Sequence, residues 1–547
     1  MSYATLYNKR ATPQSEPIPG ETQVENSAGG YVYALDQWKR FHRFLILGSD
    51  APTYYASAKA LTRENAENVE RCIAEDGQRA VDLIVAISDA GRAPKNDPAL
   101  FALALATVAQ SDVTRTLAYR ALPKVCRIPT HLFHFAEYRK ALGGWGSGMR
   151  NAVARWYNEQ PVERLAHAVV KYRQRDGWTH TDLLAKAHPV AVTPQHNALY
   201  RWIDGSGVGE RALTNKTGAV VRRYPSVADI ALPAIIAAYE EAQGTTDVQR
   251  LCTLIREHGL TREMLPTACL TQAVVWEALL EQMPMTAVLR NLGNMAKVGL
   301  LSQMSHAAST VCARVTDGER LNKARIHPLT LLVALKIYQQ GHGDKGKGEW
   351  SPVGQIVDAL DAAFYLSFGS VEPTGKRQLL ALDVSGSMGW GNLAGLPITP
   401  REASAALAMV VARTEPNYGI IAFDTATTEL SISPRQRLDD VVKMIAGLQY
   451  GATDCALPML WAMEKKVDID AFQIFTDNET WAGRIHPSQA LRQYRRDRGI
   501  PAKLIVHGMT STGFTIADPN DSGMMDVVGM DTSVPTIISE FIAGHVS

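Results

Sequence analysis

Cysteine is scarce in this 547-residue chain, and the six present (Cys72, Cys126, Cys252, Cys269, Cys312 and Cys455) never form a C-x-x-C pair. Thiols scattered in this way argue against a zinc site and a disulfide framework, and they fit a reducing compartment. No run approaches the ~18 consecutive apolar residues that a membrane-spanning helix needs. The opening residues, MSYATLYNKRATPQSEPIPG, lack an apolar stretch behind a basic one, so no secretory signal is expected and the expected location is cytoplasmic. Net charge is almost missing too, with 56 Lys/Arg against 55 Asp/Glu. A chain 46% hydrophobic and 20% charged is not largely disordered, and its length exceeds what one compact core accommodates.

The neutral total hides an asymmetry. Residues 371–547 hold 15 basic and 20 acidic side chains, whereas residues 1–370 hold 41 and 35. Within the basic part, residues 150–225 alone carry 12 basic and 6 acidic side chains. A basic patch on one domain and an acidic character on the other suggest separate partners, with nucleic acid a candidate for the first. An excess of six charges also fits an ordinary solvated helical face.

Residues 1–30 are polar and rich in Pro, Gly and Ser, and read as a flexible N-terminal arm. From 31 to 366 the pattern is helical nearly throughout. ALFALALATVAQ, DVQRLCTLIREHG and PLTLLVALKIYQQG place apolar residues at i, i+3, i+4 and i+7, and short Gly or Pro breakers separate the segments. Many consecutive helices with brief turns predict stacked helix pairs, with an irregular orthogonal bundle as the alternative. The pattern changes over residues 371–547. Strands RQLLALDV, YGIIAFDT, AFQIFTDNE and AKLIVHGM alternate with helices such as PREASAALAMVVART and SQALRQYRRDRG. The expected fold is therefore multidomain: an all-α helical-repeat domain, then a doubly wound, Rossmann-like α/β domain.

In such sheets the ligand site lies outside the carboxyl ends of the strands. Three polar clusters are expected there: Asp383-Val384-Ser385-Gly386-Ser387, Gly451-Ala452-Thr453-Asp454 and Thr476-Asp477-Asn478-Glu479. Two carboxylates with several neutral hydroxyls suit a hard divalent cation, Mg²⁺ above all, with Mn²⁺ or Ca²⁺ as alternatives. Asp383, Ser385, Ser387, Thr453 and Asp477 are the candidate ligands. The bland reading is that Asp383 caps a turn and the serines cap a helix. A phosphoryl-accepting Asp383 would want a second carboxylate two residues on, where Ser385 stands. A two-metal nuclease or phosphatase would need a further acidic cluster, and the spacing of Asp454 and Glu479 does not suggest one. Binding is favoured over catalysis.

D-x-S-x-S with a later Thr and a later Asp is the metal-ion-dependent adhesion-site pattern, and residues 371–547 resemble a von Willebrand factor type A domain. DVSGSM, GATDCALPM, FTDNETWAG and IPAKLIVHGMTSTGFTIADP, with VCRIPTHLFHFAEYRK, KYRQRDGW, MPMTAVLRNLG and KARIHP upstream, together resemble the Ro ribonucleoprotein autoantigen family. The resemblance implies a ring of HEAT-like repeats, the TROVE domain, over residues 31–366. It implies binding of small non-coding Y RNA and of misfolded or unprocessed RNAs, with duplex on the outer basic face and a single-stranded 3′ end in a central hole. In bacterial members the Y RNA can tether a 3′-to-5′ exoribonuclease such as polynucleotide phosphorylase. A monomeric protein is implied, and the open coordination position of the metal site implies a carboxylate-bearing protein ligand.

The family's RNA-contacting segment resembles KYRQRDGWTHTDLLAKAH, which makes Lys171, Arg175 and His188 the aligned positions. The spacing predicts that Lys171 and Arg175 share one helix face, where two cations repel unless an anion or solvent intervenes. His188, before a proline at a helix end, also reads as a capping residue. Lys124, Arg127, Arg139 and Lys140, with His131, Lys323, Arg325 and His327, are candidates for the basic surface or hole lining. His131 and Cys126 could equally pack between repeats. Tyr172 and Trp178 could stack on bases, although core packing is the stronger expectation for Trp178. Residues 194–246 depart from the family's patterns.

Overall fold

The computed structural model describes residues 11–48, 66–93, 95–207, 209–214, 220–224, 226–343, 348–368, 373–391, 393, 396–448, 451–510, 512–530 and 534–544. Among them, eighteen α-helices lie between Gln37 and Leu366. Their ends follow local chemistry. Ser111 caps Asp112–Val125 by accepting from Thr114 N, and Asp247 caps Val248–His258, which stops at Gly259 in the left-handed region (φ 67°). The helix Asp97–Ala106 is apolar on every side and buried from Pro98 to Ala106, with Pro129–Gly143 packed against it. Early and late parts of the array meet, as the ring implied by the family resemblance requires. Arg325 Nη1 donates to the Asp89 carbonyl (3.0 Å), and His327 Nε2 donates to that of Arg92 (3.2 Å).

Small β elements punctuate the chain before the second domain: β1 (Val24–Glu25), β2 (Tyr31–Ala34), β3 (Gln174–Arg175), β4 (Trp178–Thr179), β5 (Arg211–Thr214) and β6 (Val220–Tyr224). The α/β domain follows with β7 (Gln378–Asp383), β8 (Tyr418–Phe423), β9 (Thr427–Glu429), β10 (Ala471–Thr476), β11 (Lys503–Gly508), β12 (Phe514–Thr515) and β13 (Met524–Val528). Six of these form one sheet in the order β13-β11-β10-β7-β8-β9, parallel except for β9. All residues of β7 and β10 are buried, as a sheet covered by helices on both faces demands. The chain leaves β7 toward β8 and later returns to its other side as β10. The topological switch point therefore falls between β7 and β10.

The flexible arm expected over residues 1–30 is corrected for its described part, 11–30. β1 pairs with β2, and β2 pairs with β12, so the segment adds a small antiparallel sheet to the α/β domain. Several of its polar side chains are drawn into the domain. Gln14 is fully buried, Asn26 Nδ2 donates to Thr480 O (2.8 Å), and Arg492 donates to Glu21 (2.8 Å). Gly30 is obligatory, because a Cβ there would lie 1.9 Å from the Thr480 carbonyl oxygen. This strap leads directly into the first helix, Gln37–Leu47. There the buried Arg43 reaches Asp526 of β13 (2.6 Å) and the Thr512 carbonyl (2.9 Å).

The far end of the helical array also grips the α/β domain. Lys336 pairs with Glu402 (2.8 Å), Gln339 donates to Asp439 (2.5 Å), and Leu438 N donates to Asp361 (3.1 Å).

Inside the sheet, His507 of β11 stacks on Phe475 (4.0 Å between ring centres) and donates to Gln473 Oε1 (2.9 Å), which continues to Gln378. Complete burial holds its pKa down to about 3. Below pH 6.5 the unfolded chain protonates this ring and the folded chain does not. The stability it contributes is thus present above pH 6.5 and lost as pH falls toward 3. In urea unfolding at pH 7 and 5.5, wild type should lose stability relative to His507→Gln by roughly 1.4 kcal/mol per pH unit below 6.5. Parallel pH curves for the two proteins would refute this.

Candidate metal-type site and candidate RNA surface

Each strand at the switch point ends in a carboxylate loop. Asp383 closes β7, and its Oδ1 accepts from Ser385 N (2.9 Å), which turns the chain into a short 3₁₀ segment, Gly386–Gly389. Asp477 follows β10 and accepts from Glu479 N (2.9 Å) in the same way. Side chains then cross between the loops. Thr476 Oγ1 donates to Asp383 Oδ2 (2.7 Å), Ser387 Oγ donates to Asp477 Oδ2 (2.6 Å), and the Ser385 and Ser387 hydroxyls lie 3.2 Å apart. Thr453 is buried beside them, its carbonyl accepting from Trp481 N and Ala482 N (3.1 Å each). Four of the five expected ligands are thus joined by hydrogen bonds at one point, with Thr453 tied to the loop that follows Asp477.

Asp383 and Asp477 are both fully buried. Burial, and then the neighbouring Asp477 charge, push the Asp383 carboxyl well above its ordinary value. Among the described residues no cationic side chain ion-pairs with Asp383. The nearby Arg401 instead spends its Nη2 on the Val384 and Ser385 carbonyls (2.9 and 3.0 Å). Nor do the described residues contain a group of three or more His, Cys, Asp or Glu arranged for a metal. The donor set here is two carboxylates and three hydroxyls, all hard oxygens, and it fits Mg²⁺ or Mn²⁺ rather than a softer ion.

A second layer, invisible in the sequence, braces these loops. Gln14 of the strap donates to Asp454 Oδ1 (2.7 Å) and the Ile485 carbonyl (2.8 Å), and its Oε1 accepts from Thr480 Oγ1. Gly483 must lack a side chain, since a Cβ would meet Gln14 Nε2 at 2.2 Å and Asp454 Oδ1 at 2.3 Å. Burial raises Asp454 to about 6, and burial with Asp477 raises Glu479 to about 7. Both carboxylates are engaged by the strap, Asp454 through Gln14 and Glu479 through Ala28 N (3.1 Å). Trp390 (61% exposed) and Trp481 (44%) stand on the loops beyond Ser387 and Asp477, an unusual exposure for indole.

The basic candidates divide differently. Lys171 ends the helix Val162–Lys171, and Arg175 lies in β3, so the expected shared helix face is corrected. The physical reason is Asp176-Gly177, both at positive φ (52° and 76°), which makes a two-residue hairpin between β3 and β4. Lys124, Arg127, Lys140, Arg175 and His188 are exposed, and Lys171 is half-buried with its ammonium 5.2 Å from the Tyr172 ring. His188 is the left-handed C-cap of His180–Ala187 (φ 46°). Arg139 is buried at 8% exposure and does not belong to a surface. His131 is held neutral, burial lowering its pKa to about 4. Lys323 and Arg325 are exposed, whereas His327 is buried at the junction of the array's ends. Trp178 is buried, its Nε1 donating to Glu137 (2.8 Å).

A helical-repeat array clasped by a type A domain with a D-x-S-x-S site defines the class. The family models agree on both halves: the TROVE domain matches residues 24–376 and the Ro60 vWA domain matches residues 377–542. The chain belongs to the Ro60 family. It is 41% identical over 538 residues to the RNA-binding protein RO60 of Deinococcus radiodurans, covering 98% of each chain. It is 36% identical over 599 residues to the RNA-binding protein RO60 of Caenorhabditis elegans, covering 98% of this chain and 92% of that one. The crystal structure of the Deinococcus radiodurans RO (RSR) protein superposes with a TM-score of 0.69 at 39% identity, covering 93% of this chain and 100% of that one. No helix among the described residues is long and apolar enough to cross a membrane.

Replacing Gln14 tests the brace. Gln14→Ala strips one hydrogen bond from buried Asp454 and should cost about 1–3 kcal/mol, with faster proteolysis within residues 11–34. Gln14→Glu, nearly isosteric, sets a second carboxyl against Asp454 and should be the more destabilised of the two at pH 7. Equal thermal midpoints for the two variants would refute the assignment.

Proposed function

We propose that this chain is a non-catalytic RNA-binding protein of ribonucleoprotein particles, with its RNA surface on the helical array and a separate divalent-cation site on the α/β domain. The observation that carries the reading is the set of exposed cations at Lys124, Arg127, Lys140 and Arg175, in a family whose compared members are named RNA-binding proteins. Cations on helix ends and a hairpin tip can meet phosphates without burying their own charge. The finer assignments follow the family resemblance: small non-coding Y RNA and misfolded or unprocessed RNAs as ligands, with a 3′-to-5′ exoribonuclease brought near by the Y RNA, in the cytoplasm.

In the α/β domain, Asp383, Ser385, Ser387, Thr453 and Asp477 would hold Mg²⁺, or Mn²⁺ in its place. Such an ion offers an open position to a partner carboxylate oxygen. Asp383 and Asp477 supply the negative charge, Thr476 orients Asp383, and Arg401 fixes the backbone of the first loop. The exposed Trp390 and Trp481 beside an acidic site suit a protein segment better than a polyanion. The purely protein-binding reading, a scaffold without RNA affinity, is the alternative.

One comparison separates them. Lys171→Ala/Arg175→Ala should weaken RNA binding and lower the slope of log K against log salt by roughly 1.4–1.8. Asp383→Ala should leave RNA affinity unchanged and abolish Mn²⁺ binding measured by titration calorimetry. Wild type that binds no RNA at low salt would overturn the ribonucleoprotein reading and favour the scaffold.

A further inference from the structure

Two tryptophans meet beside the β3–β4 hairpin. Trp145, in the turn after the helix Pro129–Gly143, lies over Trp178 with ring centres 5.5 Å apart and planes 26° from parallel. Trp178 is interior and hydrogen-bonded to Glu137, so its role in packing is settled. Trp145 is only half-buried, and its Nε1 has no acceptor among the described residues. Packing alone does not account for it, because a phenyl ring would cover Trp178 without leaving a donor unsatisfied.

Two ammonium groups converge on this indole pair from different helices. Lys186, in the last turn of His180–Ala187, places Nζ 5.7 Å from the Trp145 ring centre and 5.9 Å from that of Trp178. Lys140 places its own 5.8 Å from Trp178. Lys140 shares Glu137 (3.4 Å), whereas Lys186 ion-pairs with no carboxylate among the described residues. Arg175, paired in register with Trp178, adds a third cation with a side chain 59% exposed. Of the nearby acids, Asp176 is engaged by His134 and by Arg175 (3.6 Å), and Asp182 is spent on the Thr179 cap (2.9 Å).

We infer that Trp145, with the Lys186 and Lys140 ammonium groups beside the Trp145–Trp178 pair, is a stacking platform for one unpaired nucleotide of the bound RNA. The inference rests on the RNA-binding reading and assigns a place on that surface to a base. Every nucleobase offers a π face, but in a duplex both faces are covered by neighbours. An aromatic platform therefore selects an unpaired residue, and flanking ammonium groups take the phosphates on either side. An acidic peptide would satisfy the lysines and leave the indole face unused.

The test uses full-length protein and two RNAs: a hairpin with a five-nucleotide single-stranded 3′ extension, and the same hairpin blunt-ended. Trp145→Ala should weaken binding of the extended hairpin about 5- to 150-fold, the range expected for one stacked base, and leave the blunt hairpin unchanged. Trp145→Phe, which keeps a ring, should retain most of the affinity and lose part of the RNA-induced quenching of tryptophan emission. Lys186→Gln should lower the salt slope by about 0.7. Equal affinity of wild type and Trp145→Ala for the extended hairpin overturns the platform while the RNA-binding reading stands. Equal weakening on both RNAs also overturns it, by showing a general structural loss. Wild type that binds neither RNA overturns both.

Discussion

The carboxylates of Asp383 and Asp477 are held out of water at the ends of two neighbouring central strands, and much of the irregular structure in the α/β domain follows from that placement. A buried negative charge without compensation is expensive, and two side by side are more so. The fold meets the demand with dipoles: backbone N–H groups at Ser385 and Glu479, and hydroxyls at Thr476 and Ser387. These donors favour the charged forms but add no positive charge. The site is therefore strongly organised around buried negative charge, a condition that would favour the divalent ion proposed for it. Gln14 and Gly483 matter for the same reason, since loops carrying such a pair must not relax apart.

The same loops tie the metal-type site to the helical array at two places. The strap that supplies Gln14 runs into the first helix, where Arg43 is buried against Asp526. On the other side Arg401 touches the Asp383 loop, and the next residue, Glu402, pairs with Lys336 of the array. The α/β domain thus touches the beginning and the end of the helical region, whose ends also meet through Arg325 and His327. Closure is shared between a direct junction and a clasp.

The alternation of buried apolar runs with helical stretches made the α/β domain legible, because β7, β8, β10 and β11 are covered on both faces and read as continuous apolar segments. The position of the candidate metal-site residues at the switch point was legible for a related reason: strand ends there are fixed by topology, and D-x-S-x-S marks one of them. The strap was not legible. Its residues 11–30 are polar because their partners are buried polar groups on a domain more than 400 residues away, and composition alone makes such a segment look unstructured. The Lys171–Arg175 helix face failed on turn chemistry: Asp176-Gly177 ends helical periodicity and starts a hairpin that helical spacing conceals. Arg139 failed because a cation in a basic window is not thereby on the surface.

The separation of charge between the two halves has a physical consequence for how one protein could hold RNA and a second partner together. Phosphates would be drawn to the exposed cations proposed on the array and repelled by the acidic α/β domain, whose loops around Asp383 and Asp477 carry buried carboxylates. If the proposed ion were bound, that local charge would fall, but the site holds no groove of cations of the kind a polyanion needs. A carboxylate on a folded partner can use one position, whereas an RNA strand gains its affinity from many phosphates at once. The exposed indoles favour the same proposed partner, because Trp390 and Trp481 offer apolar area beside the metal-type site. On the proposed assignment the two surfaces would exclude each other's ligands by charge and by multiplicity, so that a protein docked at the metal-type site need not compete with RNA on the array.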